Sequence, residues 1–96
     1  MPGGFKAEGQ PGPEEQAVLD SVKAEVETLL SKQFAEFTAV SFTTQVVAGT
    51  NYLFKVHGGD GVYLHVKVHQ PLPHTGKPCE VIKATAGLSL NDPLDP

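Results

Sequence analysis

The chain has 96 residues, enough for one small domain, and its seven basic against eleven acidic residues give a formal net charge of −4. The lysines form no cluster along it, which argues against a nucleic-acid partner, and no apolar run approaches the length that spans a membrane. The N-terminus shows no basic segment followed by an apolar one, and the one cysteine, Cys79, cannot close an intramolecular disulfide, so a reducing cytoplasm is the expected compartment.

Residues 1–12 are punctuated by Pro2, Gly3, Gly4, Gly9 and Pro11. They read as a flexible or extended arm, with a plain disordered tail as the alternative. Pro13 then opens a helix, because its missing N–H costs nothing at the first helical position. Glu14 and Glu15 suit the positive end of the helix dipole and Lys32 the negative end. Val18, Val22, Val26 and Leu29 recur at spacings of four and three, flanked by Leu19 and Leu30, and predict one amphipathic helix of about five turns. Phe34 and Phe37 bracket a short link.

From Ala39 the pattern changes to period two. Val40, Phe42, Thr44 and Val46 share one face, with Ser41, Thr43 and Gln45 on the other. Tyr52, Phe54 and Val56 alternate with Leu53, Lys55 and His57. After the turn Gly58-Gly59-Asp60-Gly61, the set Val62, Leu64, Val66 and Val68 alternates with Tyr63, His65, Lys67 and His69. This predicts strands with one dry and one wet face. Residues paired across strands share a face, so Val56 is expected opposite Val62 or Leu64 and not opposite Tyr63. The helix is the one long element able to cover the dry face, which makes the class α+β with an antiparallel sheet of four to five strands.

The reversal between the first two strands is Gln45-Val46-Val47-Ala48-Gly49. Turns usually draw on Gly, Asn, Asp, Pro and Ser, and Val-Val-Ala offers none of their advantages, so Gly49 must take any left-handed position. Either the apolar tip folds back onto its own core or it is presented to a partner's groove. Further on, the prolines and glycine of residues 70–78 exclude a central strand, and a final strand is expected over residues 79–84, with Val81 and Cys79 facing inward. Residues 88–96 form an acidic, proline-broken tail.

Few side chains suggest chemistry. Cys79 with His74 or His69 is a weak candidate for a thiol and its base, since no orienting Asn or Asp stands in a recognisable context. Among His57, His65 and His69, two on one strand face are a weak candidate zinc pair against plain solvated histidine. No cofactor and no metal are expected, and an enzyme reading has no positive support.

The string Gln45-Val46-Val47-Ala48-Gly49 resembles the Gln-x-Val-x-Gly loop of the cystatins. The longer run from Val40 to Tyr52, continuing through Phe54-Lys55-Val56-His57 and returning at Leu72-Pro73-His74, is similar to the stefin branch of that family. The resemblance spans roughly residues 1–80 and leaves the C-terminal tail outside. It implies a single domain over 1–96 with the cystatin fold, a long helix held in a curved sheet. It further implies a reversible, tight-binding inhibitor of papain-like cysteine proteases such as cathepsins. Three segments would form a wedge: the arm at Gly3 or Gly4, the loop Gln45, Val46, Val47, Ala48 and Gly49, and the loop Leu72, Pro73 and His74. A monomer is expected. The second reading is a binding scaffold without inhibitory activity, or a domain-swapped dimer in which the Val46–Gly49 hinge straightens and strands exchange.

Overall fold

The computed structural model describes residues 8–94. The helical span consists of α1 (Pro13–Asp20) and α2 (Lys23–Leu30), followed by β1 (Thr38–Val47), β2 (Gly49–Gly59), β3 (Val62–Gln70) and β4 (Glu80–Leu88). The strands form one antiparallel sheet in the order β1-β2-β3-β4.

The helix starts as its sequence dictates. Gly12 is the N-cap, Pro13 follows, and Glu15 reaches back to accept the Gly12 N–H at 2.7 Å. The helical span is broken at Ser21–Val22. The Ser21 hydroxyl donates to the Val18 carbonyl at 2.6 Å, and the Val22 N–H turns to Leu19 instead, at 3.1 Å. A serine that bonds back in this way competes with the helical ladder and bends it. The break resets the buried stripe to Leu19, Val22 and Val26, with Leu30 packed at its margin, while Leu29 is exposed. Leu29 therefore leaves the predicted stripe and Leu19 moves from its flank to its centre.

Helix and sheet meet over Phe54, Val56, Leu64, Val66 and Val68, all fully buried with Leu19 and Val26. Val56 lies opposite Leu64, one of the two expected pairings, and Phe54 lies opposite Val66. Rings of Tyr52 and Phe54 stack at 5.5 Å, and Phe42 sits 6.3 Å from Phe54. Val81 and Cys79 pack against this core from the β4 side. Burial of such side chains stabilises by roughly 1.5–3 kcal/mol each.

Gln16 ties the helix to the sheet. Its Nε2 donates to the Phe37 carbonyl and its Oε1 accepts the Ala39 N–H, both at 2.9 Å. Phe34 packs so closely on Gly58 that a Cβ there would lie 2.7 Å from its ring. Glu36 then pairs with His57 at 2.7 Å.

Two further expectations change. The last strand runs Glu80–Leu88, beyond the predicted end at Ala84 and into the first tail residue. Gly87, at φ +75°, lies within an irregular stretch of pairing that extends the strand. Next, the face expected to be wet is partly covered. Lys55 donates to the Leu90 carbonyl at 2.9 Å, and Leu53 is only 3 % exposed. The tail folds back across the outer face of the sheet, which strand periodicity cannot foresee. The described part of the arm meets β1 at Gly9. Gly9 forms an antiparallel bridge with Phe42, with bonds of 2.8 and 3.2 Å, and Glu8 accepts from the Ser41 hydroxyl at 2.9 Å.

Candidate functional site: an edge built from two loops

β1 and β2 join through Ala48 alone, with Val47 opposite Gly49. Gly49 has φ +109°, a conformation that β-carbon sterics deny to other residues. A Cβ at Gly49 would also collide with the carbonyl oxygen of Gln70, and it would stand 3.2 Å from the Pro71 Cα. The glycine thus lets the first hairpin press against the end of β3. That end leads directly into the second loop. A tight 3-10 turn, Pro73–Thr75, follows Leu72. The Thr75 N–H and hydroxyl both donate to the Leu72 carbonyl, at 3.0 and 2.7 Å, so the turn closes on itself.

The two loops emerge at one end of the sheet as a joint edge. Val46 is 67 % exposed and Val47 42 %, with Ala48 and Leu72 also exposed. The tip does not fold back onto its own core. Apolar side chains held open to water on a rigid hairpin are the arrangement that a partner's groove would cover. Pro73 and His74 are exposed beside them. Gly3 and Gly4, the arm's candidate contact residues, lie outside the described residues.

Polar bonds brace the base of the edge. Asn51 Nδ2 donates to Gln45 Oε1 at 3.2 Å, leaving the Asn51 Oδ1 to accept from His69 Nδ1 at 2.8 Å. The chain Gln45–Asn51–His69 thus runs across β1, β2 and β3 beneath the loops. Tyr52 adds a bond from its hydroxyl to Gln70 Oε1 at 3.3 Å, and burial pushes its phenol pKa up. Sequence reasoning missed Asn51 and His69, because their role depends on the cross-strand register Gln45, Asn51, His69 and not on a local string.

The catalytic and metal candidates do not assemble. Cys79 packs against the core beside Tyr52 and Gln70, while the His69 ring is engaged with Asn51. Of the three strand histidines, His57 bonds Glu36 and His69 bonds Asn51. Among the described residues, no group of three His, Cys, Asp or Glu side chains could hold a metal ion. No described helix is long and apolar enough to cross a membrane.

Comparison with known proteins places the chain's relatives in one family. A cystatin domain model matches residues 3–87. Human cystatin-B is 43 % identical over 81 residues, covering 84 % of this chain and 83 % of its own. Pig cystatin-A1 is 42 % identical over 81 residues, covering 84 % of this chain and 79 % of its own. Pig leukocyte cysteine proteinase inhibitor 1 is 36 % identical over 94 residues, covering 98 % of this chain and 91 % of its own.

Proposed function

The chain belongs to the cystatin family, and on that footing we propose that it is a reversible, tight-binding inhibitor of papain-like cysteine proteases, cathepsins among them. It acts as a monomer in the cytoplasm and is not an enzyme. The joint edge of Val46–Gly49 and Leu72–His74 enters the protease's active-site cleft as a wedge, with the arm at Gly3 or Gly4 as its third contact. The single observation that carries this reading is the packing of Gly49 on Gln70, which joins the two loops into one exposed apolar edge.

The energetics follow from that exposure. Val46, Val47 and Ala48 are already in water, so covering them releases roughly 25 cal/mol per Å² of apolar surface. Their backbone is held by the sheet, and Pro73 stiffens the second loop, so little conformational entropy is lost on docking. Gln45 keeps the base of the first loop in place through Asn51. The antiparallel sense of the Gly9–Phe42 bridge supports the arm's role, since from Gly9 the chain runs on toward the Thr38 end of β1 and reaches Gly9 from the side of its Val47 end. A wedge fills the cleft without laying a peptide carbonyl at the protease nucleophile, so the inhibitor survives the encounter uncut.

Steady-state kinetics of papain with increasing inhibitor test this reading. The expected result is competition with substrate, and mass spectrometry should recover an intact chain after long incubation. Uncompetitive kinetics, or cleavage within residues 45–49 or 72–74, would sink the wedge mechanism.

A further inference from the structure

The arm is tied to β1 twice before the helix begins. The Gly9 N–H donates to the Phe42 carbonyl at 2.8 Å, and the Gly9 carbonyl accepts the Phe42 N–H at 3.2 Å. Next to this bridge, the Ser41 hydroxyl donates to Glu8 Oε1 at 2.9 Å. Three residues after Gly9, the Gly12 N–H is held by Glu15 at 2.7 Å, so the segment from Glu8 to Gly12 is fixed at both ends. The bridge stands on firm ground. The Phe42 ring packs against the core, 6.3 Å from the ring of Phe54 and 6.4 Å from that of Tyr52. Ser41 lies opposite Lys55, on the sheet face away from the helix.

Direction and length matter as much as anchorage. The bridge is antiparallel, so the chain reaches Gly9 from the Val47 side of β1. Val47 stands five positions after Phe42, and Gly4 stands five positions before Gly9. An extended chain rises roughly 3.3 Å per residue, as a strand does. An arm anchored at Gly9 therefore has the reach to bring Gly4 level with the tip of the first loop. A segment held this close to its contact residues loses less conformational entropy on docking than one held only at the start of the helix.

On the footing of the inhibitor reading above, we propose that Ser41 is a positioning residue for protease binding. Through Glu8, and together with the Gly9–Phe42 bridge, it aims the arm at the cleft that the two loops enter. The contact at Gly3 or Gly4 then draws on a side chain in the middle of β1, far from it in sequence.

Papain dissociation constants for four chains test this: the full chain, its Ser41→Ala variant, the chain without residues 1–4, and that truncation carrying Ser41→Ala. The full-length variant should bind about three- to tenfold more weakly than the full chain, the loss expected of one hydrogen bond. In the truncation the same substitution should change nothing, because the segment it aims is gone. Ser41→Thr keeps the hydroxyl and should bind as the full chain does. A merely structural role in β1 would weaken the full and truncated chains alike, and that result overturns the proposal. It is equally overturned by an unaltered constant for Ser41→Ala, by a loss in Ser41→Thr equal to that in Ser41→Ala, or by a truncation that binds as tightly as the full chain. In each of those cases papain is still inhibited and the two-loop wedge stands. A full chain that leaves papain active overturns the wedge and this proposal together.

Discussion

Gly49 and the carbonyl of Gln70 approach so closely that no side chain fits between them. The first hairpin and the strand leading to the second loop are held together by the absence of one methyl group. Gly49→Ala meets both this clash and an unfavourable φ of +109°. The variant should lose roughly 1–3 kcal/mol of stability and weaken papain inhibition at least tenfold. Gly61→Ala is the control: its φ is +73° but nothing lies within 4 Å. It should show the backbone cost alone, about 1–2 kcal/mol, with inhibition intact. Urea denaturation and inhibition constants measured on both variants separate the two effects.

The relay from Gln45 through Asn51 to His69 braces the loops from beneath. Asn51→Ala removes both bonds. At roughly 0.5–1.5 kcal/mol net for each, about 1–3 kcal/mol together, the dissociation rate of the papain complex should rise about 5- to 150-fold with little change in association. Stopped-flow association and displacement measurements give the two rates separately. An unchanged dissociation rate would show that the loops hold their positions by packing alone.

Gln16 joins the helix to the entry of β1 through two bonds of 2.9 Å. Gln16→Ala leaves the Phe37 carbonyl and the Ala39 N–H without that partner, and should cost about 1–3 kcal/mol of stability. The site is remote from both loops, so inhibition at a temperature where the variant is folded should be unchanged. Denaturation midpoints together with papain titration decide the matter.

His65 makes stability pH-dependent in one direction. Burial first, then the charge of Lys55, lower its pKa, against smaller opposing effects of Asp92 in the tail and Glu8 in the arm. The unfolded chain therefore takes up this proton more readily than the folded one. The contribution is complete above the ordinary histidine value of 6.5 and is lost as pH falls from there through the lower folded pKa. The fall in melting temperature between about pH 7.5 and pH 5.5 should be smaller in His65→Gln than in the parent. Equal slopes would remove His65 from the account.

Much of this molecule was legible in its sequence, for reasons of periodicity. Two-residue alternation from Phe42 to Val68 defined the strands, whereas a register shift at Val40 brings Ala39 and not the expected Val40 against the core; the need for paired residues to share a face narrowed Val56 to two partners, of which Leu64 is the one found. Five residues from Gln45 to Gly49 pointed to the first loop. Other features depend on interactions that no local pattern carries. The break after Asp20 arises from one serine hydroxyl and turns Leu29 outward. Gln16 is a polar residue in a helix until Phe37 and Ala39 reach it. Leu53 lay on the expected wet face and is buried there, beneath a face that the tail crosses.

The central claim is that the apolar tip of the first loop enters the protease cleft. Val47→Asp tests it most directly, because a carboxylate there must be desolvated on docking while the folded core is untouched. Papain titrated with the parent chain should lose activity stoichiometrically. The variant, with an unchanged circular dichroism spectrum and melting temperature, should bind at least about thirtyfold more weakly, the loss typical of a hot-spot residue. Equal titration curves for the two proteins would contradict the account.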